Sequence, residues 1–327
     1  MMKLLTPICA ALMLSGCIVH VGGSAAHADQ HTEQQLVLDA TQLTTLNANL
    51  EAGSLTIIGS PKATDIKVNA DIYTFENSEY TLTLDSSGDT AKLVAKTASR
   101  SGNVWVVGGQ SPRINLAITV PESLILDIED ESGDINIQRM KNQIKIEDGS
   151  GDITVNGAQH ISISDSSGDI DINEGGNINI DDGSGDIEIY GVQTVNITDG
   201  SGGLFIKNAQ GDINIVDDSG DLTVRDTRGE ITIEDGSGSL EIKNALGNIK
   251  IDDDSGDLTI AHTSKNVDIE DHSGSISIEQ VSGKVTIDDG AGDIYINGAG
   301  SLHIADAGPG DVNIDNIKGS VSGDLSR

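Results

Sequence analysis

Aromatic side chains are nearly missing from this chain: Phe, Trp and Tyr make up 2% of its 327 residues. A thick globular core takes much of its buried area from aromatics, so the core here must be thin and built from Ile, Val and Leu. Cysteine is equally scarce. Cys9 and Cys17 both lie near the N-terminus, which excludes a disulfide framework in the body of the protein. Five prolines against 39 glycines fit a chain of many tight turns rather than a disordered one. Basic charge is short as well: the formal net charge is −33, and residues 121–327 hold 42 Asp or Glu against 12 Lys or Arg. Phosphate binding needs a basic face, so this balance argues against nucleic acid as a partner, and anionic membrane surfaces should repel the repeats. Cations or a basic protein surface are the natural counterparts.

What the chain has in abundance is one short phrase. Asp182-Gly183-Ser184-Gly185-Asp186-Ile187-Glu188-Ile189 returns in close variants such as Ser132-Gly133-Asp134-Ile135, Ser150-Gly151-Asp152-Ile153 and Ser255-Gly256-Asp257-Leu258. Eleven such turns, from Ser132 to Pro309-Gly310-Asp311, are spaced 17 or 18 residues apart. A fixed period of this length marks a stacked array, in which each unit buries its apolar face only against its neighbours. Three and five residues after the turn serine come aliphatic pairs, as in Ile187/Ile189 and Leu222/Val224, with polar residues between them. A second pair follows, as in Ile178/Ile180 and Ile231/Ile233, and a second turn separates the two pairs. This is strand alternation with one buried face. The expected fold is all-β, a two-sided parallel β-solenoid of about eleven coils over residues 129–327.

Residues 34–128 are strand-rich but irregular, with alternation in Asp65–Ile72, Tyr80–Leu84 and Arg113–Ile118. Gly53-Ser54-Leu55-Thr56-Ile57 has the form of the later repeats. The segment reads as wider, divergent opening coils that cap the array and cover what would otherwise be an open sheet edge.

Two acidic columns run through the repeats. One stands two residues before the turn serine, at Asp130, Asp148, Asp165, Asp182, Asp199, Asp217, Asp235, Asp253, Asp271 and Asp289. The other follows the turn glycine, at Asp134, Asp152, Asp169, Asp186, Asp221, Asp257, Asp293 and Asp311. Turn chemistry accounts for them first: an Asp ahead of Ser-Gly accepts backbone N–H groups, and Gly supplies the positive φ. Stacked carboxylates also repel, and Ca²⁺ or Mg²⁺ would relieve them. The Gly/Asp repeat resembles the calcium-binding nonapeptide β-roll, but its register differs, since Asp here follows Gly directly and precedes an aliphatic pair. No metal ligand set and no cofactor is therefore assigned; Ca²⁺ is the one ion the columns bring into question.

The chain shows no Gly-rich phosphate loop, zinc-ligand cluster or nucleophile elbow, and no catalytic residue is assigned. His160, His262, His272 and His303 fall in different repeat columns. Arg225-Asp226-Thr227-Arg228 is the one local basic spot, and Phe205 and Tyr295 stand alone at strand midpoints. A β-helical polysaccharide enzyme would be expected to interrupt its repeats with long loops that build a cleft, and these repeats keep their spacing.

At the N-terminus, Lys3 and the apolar run Leu4–Leu14 read as a signal peptide, too short to span a bilayer. The run ends in Leu14-Ser15-Gly16-Cys17, which resembles the lipobox of bacterial lipoproteins. That resemblance implies removal of residues 1–16, acylation of Cys17 (palmitate among the chains) and a membrane anchor, with residues 17–33 as a flexible tether. Ile18, rather than Asp, after the cysteine implies outer-membrane sorting by the same resemblance. The competing reading is cleavage after Ala26-His27-Ala28, which would leave a soluble periplasmic protein.

The Ser-Gly-Asp-Ile-x-Ile turns, with Ile118-Thr119-Val120-Pro121 shortly before the first, resemble a bacterial β-strand-repeat family of candidate adhesins, a domain of unknown function. The resemblance covers about residues 45–325 and brings no active site. It implies a non-enzymatic envelope protein, adhesin-like or a scaffold, with an envelope protein or a cell surface as partner.

Overall fold

The computed structural model describes Ala28, residues 30–97 and residues 111–325. The expected all-β, two-sided parallel β-solenoid is what it shows, with every regular element a strand. The signal peptide, Cys17 and Trp105 lie outside the described residues. The chain divides into two compact units, residues 1–158 and 159–327.

The first unit begins with β1 (Gln30–Asp39), β2 (Thr45–Leu50), β3 (Leu55–Ser60) and β4 (Asp65–Thr74). It continues with β5 (Tyr80–Ser87), β6 (Thr90–Thr97), β7 (Arg113–Pro121), β8 (Ile125–Asp130) and β9 (Ile135–Gln138). β2 and β3 make a true coil, as Gly53–Ile57 predicted, and it stacks in parallel on the coil of β8 and β9 although some 80 residues separate them in sequence (Thr45 opposite Ile125, Leu55 opposite Ile135). Between these coils the chain departs from the expected pattern. β4 runs antiparallel to both β1 and β7, and β5 forms an antiparallel hairpin with β6. The cap is therefore two antiparallel additions, β1–β4 beside β7 and β5 beside β6, rather than a set of wider coils. The tether is shorter than expected too, because residues 30–33 already pair in β1.

In the second unit each coil feeds two parallel ladders, with one strand in each until Ile276–Asp289 and Ile294–Asp306, which run through both. One ladder runs from His160–Asp165 through Asn177–Asp182, Thr194–Asp199 and onward to Val267–Asp271. The other runs from Ile170–Asn173 through Ile187–Tyr190 to Leu258–Thr263. Neighbours stack in register, Ile178 on Val195 and Ile189 on Ile206, up to the pairing of Ile276–Asp289 with Ile294–Asp306, where the register shifts after Val281 and after Ile287. Like residues therefore stand over like residues, and the aliphatic pairs read from the sequence fill the interior. Ile187, Ile189, Leu222 and Val224 are fully buried.

The two corners of a coil differ. At the Ser-Gly corner the last Asp of one strand precedes the first aliphatic of the next by five positions throughout, from Asp130/Ile135 to Asp289/Ile294. The one-residue difference between coils lies at the other corner, where Glu174 precedes Ile178 by four residues and Asp226 precedes Ile231 by five.

From Arg139 onward this second corner holds a positive-φ residue in each coil, among them Arg139, Glu174, Asn208, Asp226, Asn244, His262 and Gln280, with φ of 53–62°. A residue with a Cβ gives up about 1–2 kcal/mol there. The exposed Glu174 (φ 58°) should accordingly be improved by Glu174→Gly, by on the order of 1 kcal/mol or a few degrees in Tm. A thermal melt showing no gain would contradict this account of the corner.

Candidate functional site

The inner acidic column is the most unusual chemical feature of the repeats. In Ile178, Ile180 and Asp182 the period of two places the aspartate on the same face as the two isoleucines, and that face is buried. Asp199, Asp217, Asp235, Asp253, Asp271 and Asp289 repeat the arrangement, all at most 3% exposed. Each lies directly opposite the next in register, Asp182 on Asp199, Asp199 on Asp217, and so on to Asp271 on Asp289. One carboxylate therefore follows another at the strand spacing of about 4.8 Å.

In most coils one oxygen of the carboxylate closes the corner; Asp235, with both oxygens buried and unbonded, is the exception. Asp271 Oδ1 accepts the Ser273 N–H at 2.9 Å, Asp217 Oδ1 that of Ser219 at 3.0 Å and Asp253 Oδ1 that of Ser255 at 3.1 Å. The Ala291 N–H does the same to Asp289 at 3.0 Å, so the corner requires the backbone N–H and not a serine hydroxyl. Where serine is present, its hydroxyl adds a bond to the previous coil, as from Ser219 to the Gly200 carbonyl at 3.2 Å. The second oxygen, Oδ2, of Asp182, Asp199, Asp217, Asp253, Asp271 and Asp289 is buried without a hydrogen-bond partner.

Burial, and after it the neighbouring carboxylates, push these groups upward: Asp182 and Asp217 to about 6, Asp235 and Asp271 to about 7. Asp289 rises to about 6, through burial first. At neutral pH the column therefore holds protons on part of its length. The role read from the sequence, an Asp that accepts the corner N–H, is what these bonds show, and burial adds to the repulsion between stacked carboxylates.

The outer column does different work. Its carboxylates accept the N–H of the equivalent residue one coil further on, as in Asp186 N–H to Asp169 at 2.9 Å, Gly203 N–H to Asp186 at 2.8 Å and Asp311 N–H to Asp293 at 2.9 Å. These bonds clip successive coils together at the corner. Asp186→Ala should lower the stability of the second unit by about 1 kcal/mol, the worth of one exposed hydrogen bond. An unchanged urea midpoint would contradict this role.

The remaining sequence candidates do not converge. His160, His262 and His272 are exposed at separate positions, and His303 meets Ser322 Oγ at 3.1 Å. The basic spot dissolves, because the Arg225 guanidinium is held by Glu241 at 2.5 Å and Thr227 is buried. Phe205 is not isolated: its ring centroid lies 5.5 Å from that of Tyr190 on the next strand. The sequence signal for that pair was their stacking one coil apart in neighbouring columns.

A family model, Toastrack DUF4097, matches residues 156–278 and 211–325 of this sequence, together more than half of the chain. The chain belongs to the Toastrack DUF4097 family. None of the curated proteins is significantly similar to this Toastrack chain. Among solved structures it is similar to a candidate adhesin from Parabacteroides merdae, at 10% identity and a TM-score of 0.33, over 88% of this chain and 96% of that one. A candidate cell adhesion protein from Clostridium sporogenes is similar at 13% identity and a TM-score of 0.25, over 88% and 99%. A candidate adhesin from Bacteroides fragilis is similar at 12% identity and a TM-score of 0.23, over 88% and 97%.

Proposed function

We propose that this Toastrack protein is a non-enzymatic, lipid-anchored component of the bacterial cell envelope, whose acidic repeats serve adhesion or the scaffolding of an envelope complex. The observation that carries the reading is the unbroken 17- or 18-residue spacing of the corners from Ser132 to Pro309. A solenoid that builds a catalytic cleft lengthens some of its turns into walls, and these turns stay short. Both aspartate columns have structural occupations, which leaves the solvent-facing strand positions as the working surface. Their excess of carboxylates favours a partner with a basic face, by electrostatic steering and complementarity.

Anchoring through Cys17 is supported by Leu14-Ser15-Gly16-Cys17, and two or three acyl chains hold a protein to a membrane where a single chain is marginal. Outer-membrane placement follows from Ile18 and belongs to the same proposal. The test is fractionation of cells expressing the parental chain and Cys17→Ser. The parental protein should sediment with outer membranes and label with palmitate; Cys17→Ser should do neither. A parental chain that is soluble and unlabelled would overturn the anchor. Capture from intact envelopes should recover one basic envelope partner, whereas turnover of a glycan by the purified protein would overturn the non-enzymatic reading.

A further inference from the structure

The cap carries a cluster that neither the repeats nor the adhesin-like reading uses. His31 and Glu33 lie two residues apart on β1, and Asp71 lies opposite Glu33 on the antiparallel β4. All three side chains therefore project from one face of the sheet. Among the described residues, they are the group of three His, Cys, Asp or Glu side chains whose donor atoms all lie within 4.8 Å of one another. His31 Nε2 stands 3.5 Å from Asp71 Oδ1, and both side chains are about half exposed. Binding an ion there requires little desolvation and little movement.

The histidine ring is held in place by its neighbours. Tyr73 pairs with His31 on one side and with Arg113 of β7 on the other, so the three form a row across β1, β4 and β7. The His31 and Tyr73 rings stack at 4.6 Å with an interplanar angle of 17°. The Arg113 guanidinium carbon sits 4.1 Å from the centre of the Tyr73 ring. This row fixes the plane of the imidazole with its Nε2 toward the carboxylates, the orientation that a ligating histidine otherwise takes from a hydrogen-bonded neighbour.

We infer that His31, Glu33 and Asp71 form a binding site for one divalent transition-metal ion, with Zn²⁺ the best match. One imidazole nitrogen and two carboxylates, with a position left for water, suit Zn²⁺ at ligand distances of about 2.0–2.2 Å. Ca²⁺ and Mg²⁺ prefer all-oxygen shells, so the nitrogen donor separates this site from the acidic repeats.

The test is a calorimetric titration of Zn²⁺ into the chelator-stripped protein, with excess Ca²⁺ present to occupy the acidic repeats. One saturable equivalent is expected. His31→Ala and Glu33→Gln should each weaken it at least tenfold, while Asp186→Ala, in a repeat corner, leaves it unchanged. Circular dichroism checks that each variant is folded, and Glu33→Gln decides if His31→Ala is not. A titration unaltered by either cap variant, or abolished by Ca²⁺, overturns the proposal.

Discussion

Replacing Gly202 by alanine should remove most of the stability of the second unit, on the order of 3–5 kcal/mol, although the change adds a single methyl group to a corner. Gly202 adopts φ +146°, a region that L side chains rarely enter, and a Cβ there would overlap the carbonyl oxygen of Gly185 in the preceding coil. Its N–H also bonds the Ser219 carbonyl of the following coil at 3.2 Å. Relief by local movement is blocked on both sides, since Gly185 meets Gly168 and Gly220 meets Gly202 in the same way. Stacked repeats depend on their interfaces, so a displaced corner is felt by both neighbours. Gly203→Ala is the matched control. Its Cβ would meet the Asp186 carboxylate at 3.1 Å, a side chain able to turn aside, and the expected loss is below about 1 kcal/mol. Urea unfolding of the two variants decides the matter. Equal losses would mean that composition, not the corner geometry, explains the glycine column.

The second large effect is an inverted pH response. Folded proteins commonly lose stability in acid because paired carboxylates must be protonated. Here the inner column behaves oppositely. Asp271 rises from an ordinary 3.8 to about 7, through burial and then through Asp253 and Asp289. Below about pH 4 it is protonated in both the folded and the unfolded chain, and its ionisation costs the fold nothing. As pH rises toward 7 the unfolded chain ionises freely while the folded one resists, so stability falls across that window and levels off above it. Asp182, Asp217, Asp235 and Asp289 shift in the same direction. Asp271→Asn keeps an oxygen for the Ser273 N–H and removes the charge. It should match the parent at pH 4 and exceed it at pH 8 by on the order of 2 kcal/mol. Unfolding free energies measured from pH 4 to pH 8 are the check; a parental curve that rises with pH would refute buried, proton-holding aspartates.

Much of this was legible in the sequence because a solenoid writes its structure locally. The alternation Ile187-x-Ile189 gives the buried face, and Ser184-Gly185 gives the corner. The inward direction of Asp182 was legible too, in phase with Ile178 and Ile180. What was not legible was the depth of its burial, which comes from the coils stacked on either side. The cap was not legible for a different reason. Alternation in Asp65–Ile72 is the same whether the partner runs parallel or antiparallel, and the partners of β4 lie far away in β1 and β7. The metal-like cluster was hidden by the same distance, as His31 and Asp71 meet only through that pairing. The left-handed corner escaped because Arg139, Glu174, His262 and Gln280 occupy it, where stacking overrides the preference for Gly or Asn.

The inequality of the two corners has a consequence for how such a protein can change. The Ser-Gly corner is a fixed-length seam: its carboxylate, its N–H partner and its glycine must meet across every coil, so an added residue would break the stacking. The opposite corner already spans an offset of four positions in one coil and five in another, with aliphatic strands on either side of both. Whole coils can be duplicated or deleted between matching seams, and new peptide can be grafted onto the tolerant edge. Lineages of this protein should therefore vary in coil number and in decoration along one edge only, while the seam keeps its length.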